Sequence, residues 1–452
     1  MEQNTKLKKD IGLVIATALV AGNMMGSGIF MLPATLADKS GPGATMFAWI
    51  VTALGSIFLA LSFARLGTKV PKTGGPYEYS KLAFGDFMGF MSAWLYWNGS
   101  WIGNAAVVIA VSSYAGKLIP AIGNSQLGAF LFASIVLWIF TIINIFGVRK
   151  AGKIQTTITF FELGLFLLFI IVAALHFNVS NLLPLFPAEK GLGTMPSAAT
   201  STLWAFVGLE SASIAAGEIK NPEKNVAKST IIGIIIVAVM YMAINFFAMG
   251  AMPNGALAKS SAPLADILSQ YFGSGITNFI TIGAVISILG TTVGWLLSTA
   301  RVAYAAGKDG MFPEFFAKVH PKYNTPYVAI IIGSVLVNVL LLLNYNKTTN
   351  AAFNFIILLA TLSFLPIYAM TSAADMILIV KKEKNFNLWN FIKNSFIPLV
   401  GFLYACWTIY GSGAETVMYG FLLMLAGVPF YIYMTLKNKE RCDSIRNFDK
   451  IA

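Results

Sequence analysis

The sequence predicts an all-α, polytopic membrane protein with twelve transmembrane helices. Three observations carry that expectation. The 452 residues are 57% hydrophobic and only 11% charged, with a mean hydropathy of +0.73. Apolar runs of about 20 residues recur along the chain, each long enough to cross roughly 30 Å of hydrocarbon. The runs are continuous rather than alternating apolar and polar, which excludes a transmembrane β-barrel.

The runs place spans at 11–35, 44–66, 83–113, 128–147, 154–176, 194–216, 230–252, 276–303, 326–345, 351–374, 395–412 and 414–436. Of the 31 Lys and Arg, only Lys39, Lys117, Lys190, Lys259 and Lys347 fall in odd-numbered connections. The rest lie in the tails and even-numbered connections, as in Lys6/Lys8/Lys9, Arg149/Lys150/Lys153 and Lys381/Lys382/Lys384, or, for Arg65 and Arg301, at the inner ends of the second and eighth spans. The positive-inside rule then puts both termini in the cytoplasm, with tails at 1–10 and 437–452. The net charge of +12 reads as topology, and no nucleic-acid partner is expected. The basic start is read as leading into a first span that stays uncleaved.

The first span breaks its own pattern. Ala21-Gly22-Asn23-Met24-Met25-Gly26-Ser27-Gly28-Ile29-Phe30 puts glycines and a serine where a membrane helix should continue, each glycine costing about 1 kcal/mol against alanine. In lipid such a break survives only where the freed N–H and C=O groups face protein, water or a solute. Asp38 to Gly43 is a turn-rich outer connection, and Lys69 to Tyr77 a glycine-containing inner loop. The third span carries Trp94, Tyr96, Trp97 and Trp101 among Asn98, Gly99, Ser100 and Asn104. Tyr96, Gly99, Ser100 and Gly103 share a helical face and read as cavity lining; the alternative is an interfacial aromatic belt. The fifth span holds one carboxylate, Glu162, which at depth marks a pathway or relay, or else sits protonated against a neighbouring helix.

The sixth span repeats the oddity of the first: Gly208, Glu210, Ser211 and Ser213 interrupt an apolar segment, with the break expected over Gly208–Ser213. Paired broken helices at matching positions in two halves point to a transporter's binding site. The two are five spans apart, an odd offset, so the halves have opposite topology: a five-plus-five inverted repeat, with one repeat over 11–176, the second over 194–374, and two further spans over 395–436. Met252 to Gly275 suggests a short outer helix. The eighth span brings Trp295 behind Gly290-Thr291-Thr292-Val293-Gly294.

Two facing breaks offer an N–H end for a carboxylate and a C=O end for an ammonium. They match an α-amino acid without any charged side chain. Gly26, Ser27 and Gly28 suit the carboxylate; carbonyls near Met24 and Trp204–Val207 suit the amine. No G-x-x-x-x-G-K-[ST] occurs, so gradients or exchange would drive transport. Cys406 and Cys442 lie far apart and histidine is limited to His176 and His320, so neither a disulfide framework nor a metal site is indicated. A channel calls for repeated polar or charged rings and an enzyme for clustered acid, base or metal groups. The isolated carboxylates supply neither, so no catalytic residue and no cofactor are expected.

These residues resemble a known family. Met24-Met25-Gly26-Ser27-Gly28-Ile29-Phe30 with Leu32-Pro33, Gly74-Gly75-Pro76-Tyr77, and Thr202 to Ala212 look like the amino acid–polyamine–organocation superfamily. Trp204, Glu210-Ser211-Ala212 and Asn221-Pro222-Glu223 make the chain most similar to its basic amino acid/polyamine antiporters of the arginine/agmatine exchanger type. The resemblance implies a LeuT-type inverted repeat, a bacterial inner membrane location, contact with membrane lipid, and a homodimer as in many relatives. It implies exchange of a basic amino acid for its decarboxylation product or another amino acid, with proton-coupled uptake of amino acids as the alternative. Ser27 and Gly28 would bind the carboxylate, and carbonyls of Met24, Trp204 and Val207 the α-amino group. Trp204 would close over the substrate, and Trp295 would stack on its side chain. Gly99, Ser100 and Asn104 would meet the far end. Tyr96 and Glu210 would belong to a deeper gate, and Tyr77 to a pH-sensing position. Three departures bear on specificity. Ala205 replaces a serine, and apolar residues around Ile356-Ile357-Leu358-Leu359 replace a serine pair, with Thr361 the nearest hydroxyl. Glu162 stands where the arginine exchanger has an uncharged residue and proton-coupled relatives a lysine; it is expected to take up and release a proton.

Overall fold

A computed structural model of the chain describes residues 11–70, 74–146, 151–216, 219–323, 325–381 and 387–448. The N-terminal tail and the basic positions Arg149, Lys150, Lys382 and Lys384 invoked above lie outside them. Among the described residues the chain is helical, with one isolated bridge between Ile11 and Ile219.

The first apolar run forms two helices, α1 (Leu13–Met24) and α2 (Ser27–Lys39), parted at Met25 and Gly26. Then come α3 (Pro42–Lys69), the short α4 (Pro76–Phe84), α5 (Asp86–Leu118), α6 (Pro120–Gly123), α7 (Gln126–Phe146) and α8 (Ala151–Leu175). A second break separates α9 (Met195–Trp204) from α10 (Ser211–Ile214), and α11 (Pro222–Ala251) follows. The expected short outer helix is two pieces, α12 (Asn254–Lys259) and α13 (Pro263–Ser269), the second opening on its proline. The chain continues through α14 (Ser274–Lys308), α15 (Tyr327–Asn344), α16 (Thr349–Val380), α17 (Leu388–Gly411) and α18 (Ala414–Phe448).

Counting α1 with α2, ten helices among the described residues are long and apolar enough to cross a membrane. On α7 the exposed face is Leu131, Ile135, Ile139 and Ile142, an apolar stripe at helical spacing that fits hydrocarbon. Two expected spans fall outside the ten, each for a physical reason. The sixth is cut into α9 and α10. The third, α5, is long but polar at its centre, and it packs most extensively against α14 and α16. It is buried from Gly89 to Ala115 except for the half-buried Trp101. A helix enclosed on all sides has no lipid face to keep apolar.

That enclosure also sorts the aromatic residues of α5. Trp94 donates from Nε1 to the Leu423 carbonyl at 2.8 Å, and Trp97 packs on Phe312 and Phe316. Both are buried structural anchors rather than an interfacial belt. Tyr96, by contrast, turns toward Glu210.

Candidate functional site

The two breaks meet. α1 packs against α10 and α2 against α9, so the broken helices run in opposite directions with their interruptions side by side. The second break is Ala205–Glu210, earlier than the expected Gly208–Ser213. Its cause is local: Ala205, Phe206 and Val207 donate to Thr202, Leu203 and Trp204 at 2.9–3.2 Å, which tightens the helix into three-residue turns. Gly208 then takes φ +113°, a conformation that glycine alone adopts freely. A Cβ there would come within 3.0 Å of the Asn23 backbone, so the same glycine lets the two chains touch. Asn23 Nδ2 donates to Ser211 Oγ at 2.8 Å and closes the junction.

Between the breaks lies a small cavity. Of the predicted residues, Met24, Ser27, Gly28, Trp204, Val207 and Trp295 line it. Ala205 stands directly behind, its Cα 3.2 Å from where a Cβ of Gly28 would lie. Asn23, Gly26, Val107 and Thr291 complete the wall; sequence reasoning missed Val107 because an aliphatic residue in an apolar run carries no signal. The first turn of α2 opens onto the cavity with no side-chain cap and no acidic residue, so its unpaired N–H groups keep their partial positive charge. Ser27 Oγ and Asn23 Oδ1 are buried with no hydrogen-bond partner among the described residues.

The C=O side is more occupied than expected. The Met24 carbonyl accepts the Tyr241 hydroxyl at 2.7 Å and the Gly26 N–H at 2.9 Å, which fills both its lone pairs. Thr291 Oγ1 donates to the Met25 carbonyl at 3.0 Å. Trp295 donates from Nε1 to the Asn23 carbonyl at 3.1 Å, which fixes its ring 5.7 Å from that of Trp204. Gly103 makes room for both indoles: a Cβ there would lie 2.6 Å from Trp204 Cη2 and 3.1 Å from Trp295 Cζ3.

Gly99, Ser100 and Asn104 do not line the cavity. Gly99 backs onto Ser363 and Phe364, and the Ser100 carbonyl accepts Asn104 Nδ2 at 3.1 Å. Asn104 Nδ2 also reaches Thr299 Oγ1 at 3.4 Å, one turn beyond Trp295. Phe364, which the sequence did not single out, packs edge-on against Trp295 and Tyr96. Thr361 is buried, and its hydroxyl has no partner among the described residues.

Both approaches to the cavity are closed. Toward α4, Glu210 accepts Tyr96 at 3.1 Å on Oε1; on Oε2 it accepts Tyr368 at 2.9 Å and its own break's Gly208 N–H at 3.2 Å. Beyond it Tyr77 donates to Asp309 Oδ2 at 2.7 Å. Burial first, then the bond and charge of Asp309, push the Tyr77 phenol well above its ordinary range. A pH response at this position therefore does not come from ionising the phenol. At the opposite end Thr35 donates to Asn354 at 2.7 Å and Lys39 to Ser201 at 3.0 Å. Glu162, on α8, lies outside the cavity and is buried, with Oε1 unpartnered among the described residues.

Residues 11–435 match the family model described as amino acid permease. The chain is 31% identical to an arginine/ornithine antiporter of Pseudomonas aeruginosa, over 95% of this chain and 92% of that one. It is 30% identical to an arginine/agmatine antiporter of Chlamydia pneumoniae, over 97% and 93%. Among solved structures it is similar to a mutant manganese transporter of Eremococcus coleocola, with a TM-score of 0.57 and 13% identity over 94% of each chain. That likeness concerns the fold alone.

Proposed function

Since this chain belongs to the amino acid permease family, we propose that it is a secondary transporter working by alternating access, exchanging a basic amino acid for its decarboxylation product or for another amino acid. The observation that carries the proposal is the pair of antiparallel helix breaks enclosing one small closed cavity. The full-length similarity to arginine/ornithine and arginine/agmatine antiporters supports a basic substrate and exchange.

In this reading the substrate carboxylate sits on the N-terminus of α2, held by the Ser27 hydroxyl and by backbone N–H groups that Gly28 leaves accessible. Carbonyls of Met24, Trp204 and Val207 receive the α-amino group, with Met24 available once Tyr241 withdraws. Trp204 is the lid and Trp295 the wall against which a cationic side chain stacks, worth roughly 0.5–2 kcal/mol. Ala205 bounds the far end of that side chain, with Gly99, Ser100 and Asn104 one layer behind, against Phe364 and Thr299. The Tyr96–Glu210–Tyr368 cluster and Tyr77 close the cytoplasmic side. The chain is read as twelve spans in a bacterial inner membrane: repeats over 11–176 and 194–374, spans 395–436, and cytoplasmic tails. Packing of α3 on α11, α5 on α14 and α7 on α15 pairs helices at matching positions of the two repeats.

Calorimetric titration of the purified protein tests the site. Arginine, ornithine and lysine should bind. Agmatine, which lacks the carboxylate, should lose the contact to α2, and an N-acetylated amino acid should not bind. Equal binding of the acetylated and free forms would remove the basis for an ammonium site.

A further inference from the structure

We infer that Glu162 is a proton-binding site linked to the cavity, and that a cationic substrate amine seated at the Met24 carbonyl expels the proton it holds. The inference rests on the preceding reading that this carbonyl receives the amine.

The placement of Glu162 follows from helix register. Thr159 Oγ1 donates to the Ala18 carbonyl of α1 at 3.3 Å. On α14, Gly290 faces Ile158 and Gly283 faces Phe161 and Leu165. Glu162 is one turn beyond Ile158 and Thr159, and Ser287 lies between Gly283 and Gly290 on the same helical face. Glu162 therefore stands opposite Ser287 and beside α1 just before its break. It is 1% exposed. Glu162 Oε1 and Ser287 Oγ are both buried without a partner among the described residues.

Tyr241 connects this carboxyl group to the cavity. It lies close enough to Glu162 to interact with it electrostatically, and its hydroxyl holds the Met24 carbonyl. That carbonyl has no lone pair left, so an arriving ammonium must displace a donor. The Gly26 N–H is fixed in the backbone, whereas the phenol is held by side-chain packing against Trp49 and Phe206. An ionised carboxylate buried without a partner is costly. A proton removes that cost while the cavity is empty; the substrate's positive charge and the released Tyr241 hydroxyl remove it when the cavity is filled. The proton passes to water on whichever side is open.

Among the described residues no other charge competes nearby. α1 carries no titratable side chain. On α14, Arg301, Tyr304 and Lys308 begin about four turns past Ser287. On α11, Glu223, Lys224 and Lys228 end more than about three turns before Tyr241. Asp266 of α13 is paired with Lys117 at 2.9 Å, and Lys153 opens α8 more than about two turns before Glu162. Amine and proton thus exclude one another, and the linkage is reciprocal: deprotonation of Glu162 favours substrate, and substrate favours deprotonation.

The experiment uses the purified full chain in weakly buffered detergent with a pH-indicating dye, L-arginine as ligand, and calorimetry to count binding in parallel. Up to one proton should appear per arginine bound. Affinity should rise up to tenfold per pH unit across the titration of Glu162 and level off above it. Glu162→Gln should bind arginine with pH-independent affinity and release no proton, and Tyr241→Phe should change the released fraction. Should Glu162→Gln fail to fold, the infrared band of a protonated carboxyl group in the unaltered protein decides, since it should fade on binding. Binding without proton release, release that persists in Glu162→Gln, or binding that requires sodium would overturn the inference. Absence of arginine, ornithine or lysine binding would instead overturn the proposed function.

Discussion

Replacing Gly103 by alanine places one methyl group between the two indoles of the cavity. The new Cβ would lie 2.6 Å from Trp204 Cη2 and 3.1 Å from Trp295 Cζ3, against roughly 3.5–4.0 Å for comfortable carbon contact. A ring must retreat by about 1 Å to restore that contact. Trp295 is anchored by its bond to Asn23 and its edge-on packing against Phe364, so Trp204 yields. Overpacking of this kind costs about 1–3 kcal/mol. Borne by the closed conformation alone, that slows exchange by about 5- to 150-fold. Counterflow of labelled substrate in liposomes reads the rate. Trp204→Phe, with its smaller ring, gives the methyl group room, so the double variant should lose less than the two single losses combined, by about 0.5–3 kcal/mol. Exchange by Gly103→Ala within twofold of the parent, or strictly additive losses in the double variant, would refute the reasoning.

Three further outcomes follow from the same geometry. Ser27→Ala removes a hydroxyl that no described residue uses, so stability should stay within about 0.5 kcal/mol while substrate affinity falls about two- to tenfold; thermal unfolding and calorimetry separate the two. Tyr368→Phe deletes one of three hydrogen bonds to the buried Glu210 carboxyl, at about 1–3 kcal/mol. Amide exchange over Ala205–Ile214 should quicken, and unchanged protection would speak against a closing role. The raised pKa of Tyr77 means the folded chain holds that proton more tightly than the unfolded one, whose tyrosines titrate near pH ~10. Its contribution is intact below about pH 10 and lost only above it. Tyr77→Phe should therefore leave the shape of the exchange profile between about pH 5 and 8 unchanged, even where the rate drops.

Much of this site was legible because membrane helices tolerate few exceptions. Glycine, serine or a carboxylate in a long apolar run is conspicuous, and Gly26, Ser27, Gly208 and Glu210 were found that way. The boundaries of the second break were less so: its opening at Ala205 depends on three-residue turns that Ala205, Phe206 and Val207 do not advertise. Residues that act by shape or by a partner also escaped. Phe364 and Val107 are ordinary apolar residues until the fold sets them against Trp295 and the cavity. Tyr241 and Tyr368 look like packing until their hydroxyls meet the Met24 carbonyl and Glu210. In the opposite direction, Asn104 donates back to the Ser100 carbonyl, a pairing at i and i+4 that spacing permits but does not dictate.

The most direct test is counterflow by the purified protein in liposomes. With unlabelled arginine, ornithine or agmatine trapped inside, labelled arginine outside should enter, and empty vesicles should take up little. Uptake into empty vesicles driven by a pH gradient alone would contradict exchange, and no uptake of any basic or neutral amino acid under either condition would contradict the account at its base.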